Sequence, residues 1–401
     1  MESIVVLGGG LAAASVVGEL RELGYTGALS LVSEETQLPY ERPPLSKGFL
    51  QGKEEPADFT VHDASWYASH DVALRLGVAA TSIETAKRQV LLADGSALDY
   101  DQLVLATGSR ASLGGRTPIP GYDLPAVHVL RTLDDAKSLR AELVEGAQVA
   151  VVGSGWIGME VAAAARQRGA RVTVYSPSEV PLAKVFGERL GNHLLELHQS
   201  HGVDVRTARV HGIEEADGHL QVLSDAGSSR ADLVLLAMGA QPNVQLAEAA
   251  GLEVDSGVVV DASLRSSDAR ILAVGDIAQA FNTVLHRQLR VEHWDNAIRQ
   301  GKLAAATLAG EERSYDWLPY FFTDQFDLGM EYVGHGSPGD TTVVRGDMES
   351  GEFFMFWQDG SEITAAANVN IWDVNGTLRG LVGREIDADR LSDPAIALKD
   401  L

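Results

Sequence analysis

Short runs of aliphatic and β-branched residues recur along the chain, and most end at a small-residue turn. Ile4-Val5-Val6-Leu7 stops at Gly8-Gly9-Gly10, and an alanine-rich stretch follows. Its period predicts a helix from Ala12 to Leu23, closed by Gly24. Leu29–Val32 reads as the next strand. Asp94-Gly95 is a hairpin signal between Gln89–Leu92 and a strand at Gln102–Leu105, which ends at Ala106-Thr107-Gly108. Thr132 stands where it can cap a helix carrying Asp134 and Asp135 in its first turn. The opening pattern then returns. Gln148–Val152 runs into Gly153-Ser154-Gly155-Trp156-Ile157-Gly158, and Arg171–Tyr175 is the strand after it. Leu233–Ala237 ends near Gly239, and Ile271–Val274 ends at Gly275-Asp276. From Tyr315 onward aromatic residues cluster, and strands are predicted at Thr342–Arg345, Phe353–Trp357 and Ile363–Val369. Phe353–Trp357 is expected to be buried on both faces. Alternating strands and helices predict an α/β fold with parallel sheets, followed by a separate α+β domain.

The length of 401 residues suits two or three domains. With 45% hydrophobic residues and mean hydropathy −0.01, the chain reads as soluble and globular. No run approaches the ~20 apolar residues of a membrane span. Ile4–Leu7 is too short for a signal sequence, so a cytoplasmic location is expected. The formal charge of −24 disfavours nucleic acid and anionic membranes as partners. There is no cysteine. That excludes disulfides, thiolate-held iron–sulfur clusters, Cys-ligated zinc and any redox step through a Cys pair or a sulfenic acid. The 11 histidines show no metal-ligand spacing, so no metal site is expected.

The two glycine turns carry the chemistry. Gly8 permits the tight turn, Gly10 lets backbone N–H groups approach a pyrophosphate, and Ala13 lets the helix pack close to the strand. Glu34 follows Leu29–Val32 about 20 residues later, where a carboxylate can accept the hydroxyls of a ribose; Glu35 is the alternative. Arg42 and Lys47 place two cations in a proline-stiffened segment beside this turn. The second turn has the full three-glycine spacing, but Ser176 stands where the first has Glu34. Two such units argue for two different dinucleotides. Asp276 either caps a following helix or receives a ribityl hydroxyl. Glu160 reads from its position as an early-helix acid favoured by the helix dipole.

Several motifs carry a family resemblance over nearly the whole chain. They are Pro39-Tyr40-Glu41-Arg42-Pro43-Pro44-Leu45-Ser46-Lys47, Ala106-Thr107-Gly108, Leu130-Arg131-Thr132, Gly155-Trp156-Ile157-Gly158-Met159-Glu160, Gly239 with Pro242-Asn243, Ala273-Val274-Gly275-Asp276, and Glu292-His293-Trp294-Asp295-Asn296-Ala297. The sequence resembles the FAD-dependent NAD(P)H:ferredoxin reductases of bacterial oxygenase systems, the putidaredoxin reductase and aromatic-ring dioxygenase reductase type. These are glutathione-reductase-like two-dinucleotide flavoproteins related to apoptosis-inducing factor. The resemblance implies two Rossmann-like domains and a C-terminal α+β domain. An FAD domain would comprise residues 1–110 and 244–315, an NAD(P)H domain 111–243, and a reductase or dimerisation-like domain 316–401.

By the same resemblance Ala12, Glu34, Arg42, Lys47, Ala80 (through its backbone), Arg131, Asp276 and Trp294 contact the flavin cofactor. Gly8, Gly10, Leu11, Ala13, Ala106, Thr107, Gly108, Gly275, Glu292 and His293 belong to the same binding set. Ile157, Glu160, Ser176 and Gly239 contact the nicotinamide cofactor, around the turn glycines Gly153, Gly155 and Gly158. Lys47 and Glu160 form an ion pair beside the flavin ring, and Phe322 stands where relatives place a tryptophan. The implied reaction is hydride transfer from NAD(P)H to FAD, then single electrons to a [2Fe–2S] ferredoxin serving a cytochrome P450 or Rieske oxygenase. NADH is favoured, with NADPH admitted because Ser176 lacks the carboxylate that would repel a 2′-phosphate. Because such ferredoxins are usually acidic and this chain carries −24, a fast encounter would require a local basic patch, for which Arg290, Arg299, Lys302 and Lys47 are the candidates; the chain would be a monomer or homodimer. The competing expectations are an NAD(P)H oxidase, a quinone or monodehydroascorbate reductase, and a redox-sensing protein like apoptosis-inducing factor.

Overall fold

Each glycine-turn segment builds a five-stranded parallel sheet, and four strands of each follow the same order, the outer fifth coming from later in the chain in the first sheet and from earlier in the second. The computed structural model describes residues 2–115 and 117–401. In the first sheet the order is Ile271–Ala273, Gln102–Leu105, Ser3–Leu7, Ala28–Ser33, Val72–Leu76. All neighbours run parallel. Ile4 to Leu7 are all buried, as a parallel strand covered on both faces requires. The helix Leu11–Glu22 follows the first strand, and Gly24 in a left-handed conformation (φ 80°) stops it. In the second sheet the order is Asp204–Thr207, Arg171–Ser176, Gln148–Val152, Leu233–Leu236, Val127–His128.

Both halves also carry a three-stranded antiparallel meander between the third strand and the return strand. In the first half it is Ala80–Glu84, Gln89–Leu92 and Ala97–Asp99; in the second it is Val210–Ala216, His219–Ser224 and Gly227–Ala231. This corrects the hairpin expectation. Asp94-Gly95 joins Gln89–Leu92 to Ala97–Asp99, whereas Gln102–Leu105 enters the parallel sheet beside Ser3–Leu7. A two-residue turn can only reach the adjacent strand.

The C-terminal region is one antiparallel sheet, ordered Tyr320–Gln325, Leu328–Gly334, Glu362–Val369, Glu352–Asp359, Thr341–Asp347. Phe353, Met355, Phe356 and Trp357 are all buried in an interior strand, so this aromatic run is not an exposed edge. Tyr320–Gln325, expected only as part of an aromatic cluster, is an edge strand of this sheet, paired antiparallel with Leu328–Gly334.

Chain contacts divide the molecule into two compact units. Unit 1 holds residues up to Glu41, Glu55–Arg110 and Gln241–Pro319; unit 2 holds Arg42–Glu54, Ala111–Ala240 and Tyr320–Leu401. Unit 1 has one core, in which helix Leu11–Glu22 packs on helix Trp294–Ala309. They touch closely because Gly301 faces Ala12 and Ser15, where a Cβ would lie 2.6 Å from Ser15 Cβ. In unit 2, Phe186, Leu190 and Leu194 pack against Met330, Tyr332 and Trp357 of the C-terminal sheet. Among the described residues no helix is long and apolar enough to cross a membrane.

Candidate functional site

In unit 1, Gly8 sits at φ 127°, and a Cβ there would lie 2.1 Å from the Ala106 carbonyl oxygen. Only glycine fits this crossing. Helix Leu11–Glu22 starts from Gly10, which supplies no side-chain cap. Its first-turn N–H groups therefore have no capping side chain and are suited to an anion. Ala13 is fully buried under the helix. Glu34 is exposed immediately after strand Ala28–Ser33, whereas Glu35 accepts a hydrogen bond from Tyr40 Oη at 2.6 Å. The tyrosine engages the alternative acid, and Glu34 is the one presented outward.

Ala106-Thr107-Gly108 is fixed by Asn243. Its Nδ2 donates to the Thr107 carbonyl (2.8 Å), its N–H donates to the Gly108 carbonyl (2.9 Å), and its carbonyl accepts from Thr107 Oγ1 (3.1 Å). Asp276 does not cap a helix. It lies in a 3-10 turn, Gly275–Ile277, where its Oδ2 accepts from Ser109 Oγ at 2.8 Å. Gly275 (φ 74°) donates its N–H to Gln300 Oε1 at 2.8 Å, and a Cβ there would press on Ala12 Cβ at 3.1 Å. Helix Trp294–Ala309 begins after His293, again with no side-chain cap. It is pinned by Asn296, which donates to the Val291 carbonyl and accepts from Tyr315 Oη. Glu292 pairs with Arg290. Ala80 stands where the meander ladder shifts register. A turn that tolerates no Cβ, an uncapped helix start and an outward carboxylate at the next strand end fit a dinucleotide.

Unit 2 repeats the turn. A Cβ on Gly153 (φ 116°) would lie 2.2 Å from the Ala237 carbonyl oxygen, and one on Gly158 would lie 2.1 Å from the Gly153 carbonyl oxygen. Gly155 differs. It precedes helix Trp156–Gln167, and its Cβ would meet nothing within 4 Å. The space above that helix start is open. Ile157 is 41% exposed in the first turn, and Gly239 (φ 92°) is exposed after the return strand. Ser176 is 2% exposed, and its hydroxyl accepts from Ser154 Oγ (2.8 Å) and from the Ser178 N–H (3.1 Å). It turns inward and brings no charge to the strand end.

Lys47 and Glu160 meet within unit 2. Lys47 Nζ lies 2.8 Å from Glu160 Oε2, with the side chains 15% and 4% exposed. Glu160 is in the second turn of its helix, not the first, so the helix dipole does not account for it. Its carboxylate is instead held by three donors: Lys47, Ser46 Oγ at 2.5 Å, and Thr323 Oγ1 at 2.7 Å. A charge this deeply buried needs such partners. Phe322 is half-buried, with Lys47 Nζ 5.2 Å from its ring centroid. Its ring carries a cation–π contact and is not simply core. Arg42 donates to the Arg131 carbonyl, and Arg131 N–H donates to Asp135 Oδ2 at 3.0 Å, beside the Thr132–Asp135 capping box. Sequence reading missed Ser46, Ser109 and Thr323, whose hydroxyls look unremarkable until their partners are placed.

Behind Thr323, Gln325 donates from Nε2 to Thr323 Oγ1 (3.0 Å) and accepts at Oε1 from His198 Nε2 (2.8 Å). Burial holds the His198 imidazolium form down to a pKa of about 4. The unfolded ring titrates near the ordinary imidazole value of 6.5, so the stability gained from a neutral ring is complete above that pH. It falls away as the pH drops from 6.5 towards 4. We expect His198→Gln to flatten this acid limb by about 3 kcal/mol, read from thermal melts across that range. Equal slopes in variant and parent would contradict it.

Each candidate cation for a basic patch has an acidic partner. Arg299, Lys302, Arg265 and Arg313 line a cleft of about 940 Å³ in unit 1, but Lys302 pairs with Glu19, Arg313 with Glu311 and Arg299 with Asp295. Arg290 and Lys47 are paired elsewhere.

Comparison with known proteins agrees with this geometry. The pyridine nucleotide-disulphide oxidoreductase family matches residues 2–301, and the reductase C-terminal family matches residues 320–401. The ferredoxin–NAD(+) reductase component of the anthranilate 1,2-dioxygenase system of Burkholderia cepacia is 40% identical, over 99% of this chain and 98% of its own. The crystal structure of a covalent putidaredoxin reductase–putidaredoxin complex superposes with TM-score 0.94 at 34% identity, covering 100% of this chain and 97% of the other. A ferredoxin reductase for the CYP199A2 system of Rhodopseudomonas palustris gives TM-score 0.95 at 31% identity, covering 100% and 99%. The chain belongs to the pyridine nucleotide-disulphide oxidoreductase family, in a form without cysteine.

Proposed function

We propose that the protein is an FAD-dependent NADH:ferredoxin reductase that supplies a bacterial oxygenase system. The observation that carries this is that both dinucleotide turns are intact in a chain with no cysteine. The family takes its name from a disulphide; here no cysteine exists to form one, so electrons leave to an external acceptor. Bound FAD supplies hydride acceptance and one-electron release, which no side chain can provide.

The residues do the rest. The turn at Gly8–Gly10 binds the FAD pyrophosphate, and Glu34 takes the adenosine ribose hydroxyls. Asp276, oriented by Ser109, receives a ribityl hydroxyl. Helix Trp294–Ala309, which starts without a side-chain cap, would offer the flavin the positive end of its dipole. Lys47 would supply a fixed positive charge to the flavin, and Glu160 holds Lys47. The turn at Gly153–Gly158 would bind the pyrophosphate of NADH, and Ile157 and Gly239 would contact the coenzyme. The FAD domain comprises residues 1–110 and 244–315, the NADH domain 111–243 and the C-terminal domain 316–401. The site of action is the cytoplasm.

Ser176 makes the coenzyme choice weak: it neither repels a 2′-phosphate nor adds a cation to hold one. We expect kcat/KM for NADH to exceed that for NADPH by no more than about tenfold, roughly 1.4 kcal/mol. A preference for NADPH would overturn the assignment. The activity itself is tested by NADH-driven cytochrome c reduction, which should require an added [2Fe–2S] ferredoxin.

A further inference from the structure

We propose that Thr323, Gln325 and His198 form a hydrogen-bond chain of fixed direction that holds the Glu160 carboxylate, and through it Lys47, in the orientation flavin reduction uses. The inference rests on the reading of Lys47 and Glu160 as the charged pair serving the flavin.

The direction follows from what each atom can do. Glu160 is held as a carboxylate by Lys47 and can only accept, so Thr323 Oγ1 spends its single proton on Glu160 Oε1. Thr323 Oγ1 must then accept from Gln325, which places the Gln325 amide nitrogen towards it at 3.0 Å. The Gln325 oxygen is thereby aimed at His198 and accepts from Nε2 at 2.8 Å. His198 therefore carries its proton on Nε2. Its Nδ1 is buried without a partner among the described residues, which suits a bare ring nitrogen and forbids a second N–H. Glu160, Thr323, Gln325 and His198 are 4%, 0%, 1% and 0% exposed, so water does not compete for these bonds.

Packing anchors the far end. His198 sits on helix Glu188–Ser200, its ring against Phe326 at 5.0 Å, and that helix packs on the C-terminal sheet. Thr323 and Gln325 alternate with Phe322 on strand Tyr320–Gln325, so one strand presents the polar chain on one face and the ring beside Lys47 on the other. A carboxylate with only Lys47 and Ser46 would have both donors on Oε2 and could swing about its stem. The bond from Thr323 to Oε1 removes that freedom. These three side chains are positioning residues; none of them is required to touch a cofactor.

The test compares Thr323→Val, Thr323→Ser and Gln325→Met in the FAD-loaded enzyme, with two readouts. The first is the rate of Lys47 acetylation by acetic anhydride, mapped by peptide mass spectrometry against an exposed lysine. The second is the anaerobic rate of flavin reduction by NADH. Loss of one charge-assisted hydrogen bond should raise Lys47 acetylation and lower the reduction rate by about tenfold in Thr323→Val, with the NADH dissociation constant unchanged. Gln325→Met, which frees the Thr323 hydroxyl to rotate, should shift both in the same direction. Thr323→Ser should restore both. The proposal is overturned if Thr323→Val and Gln325→Met match the parent, or if Thr323→Ser is as impaired as Thr323→Val. If Thr323→Val does not fold, Gln325→Met decides. If the parent flavin is not reduced by NADH, the reading of function fails, while acetylation of Lys47 still decides whether the chain positions it.

Discussion

Lys47→Met should leave FAD bound and slow flavin reduction by NADH about a hundredfold, the effect of removing one preorganised charge from a reacting centre. It should also destabilise the fold. Glu160 is 4% exposed, and removing Lys47 strands its charge among two hydroxyls. Breaking a buried pair costs roughly 3–5 kcal/mol when nothing else solvates the survivor. Ser46 and Thr323 reduce that to about 2 kcal/mol. The double variant Lys47→Met with Glu160→Gln separates the two effects. With no stranded charge, its melting temperature should return close to the parent, because replacing both members of a buried pair is often neutral. Its flavin reduction should stay slow. Recovery of rate together with stability would show that the pair is structural only. Stopped-flow reduction and thermal melts on the same preparations give both answers.

Gly8→Ala and Gly155→Ala should fail in opposite ways, although both change a turn glycine. A Cβ on Gly8 would sit 2.1 Å from the Ala106 carbonyl oxygen with φ at 127°. Neither the backbone conformation nor the contact can be relieved locally, so a loss of more than about 3 kcal/mol is expected, with FAD lost during purification. Gly155 has φ −79°, which any residue adopts, and a Cβ there would meet nothing within 4 Å. Gly155→Ala should therefore melt like the parent and keep its FAD. Its methyl group projects into the open space over the helix start, where the NADH pyrophosphate must come close. The NADH dissociation constant should rise about tenfold or more. A Gly155→Ala variant that binds NADH like the parent would remove the second turn from the coenzyme site.

The contrast between these glycines shows what could be read in advance. Turns, strands and caps are local, and the sequence spelled them out: Gly8, Gly24, Thr132 with Asp135, and the repeat at Gly153 all stand where spacing put them. The acid choice at Glu34 was also local, though the reason Glu35 is withdrawn, its bond to Tyr40, was not evident. Long-range partners were illegible. Ser46 and Thr323 lie 114 and 163 residues from Glu160, and no periodicity links them. The ion pair of Lys47 with Glu160 was accessible only through the family resemblance. Read by position alone, Glu160 seemed an early-helix acid, and its burial with three donors shows a different cause. The hairpin at Asp94-Gly95 failed for a related reason. A parallel strand beside Ser3–Leu7 and a meander strand look alike as short apolar runs, and the sheet that claims each is decided by tertiary packing.

Electrons entering from NADH should leave to an iron–sulfur partner and not to oxygen or a quinone. The measurement that tests it most directly is anaerobic: the protein is reduced with one equivalent of NADH and mixed with an oxidised [2Fe–2S] ferredoxin from a bacterial oxygenase system. The ferredoxin should be reduced within the time of a catalytic turnover, and aerobic NADH consumption without ferredoxin should be slower by at least about a hundredfold. Equally fast NADH consumption with oxygen or a quinone alone, with no acceleration by ferredoxin, would contradict it.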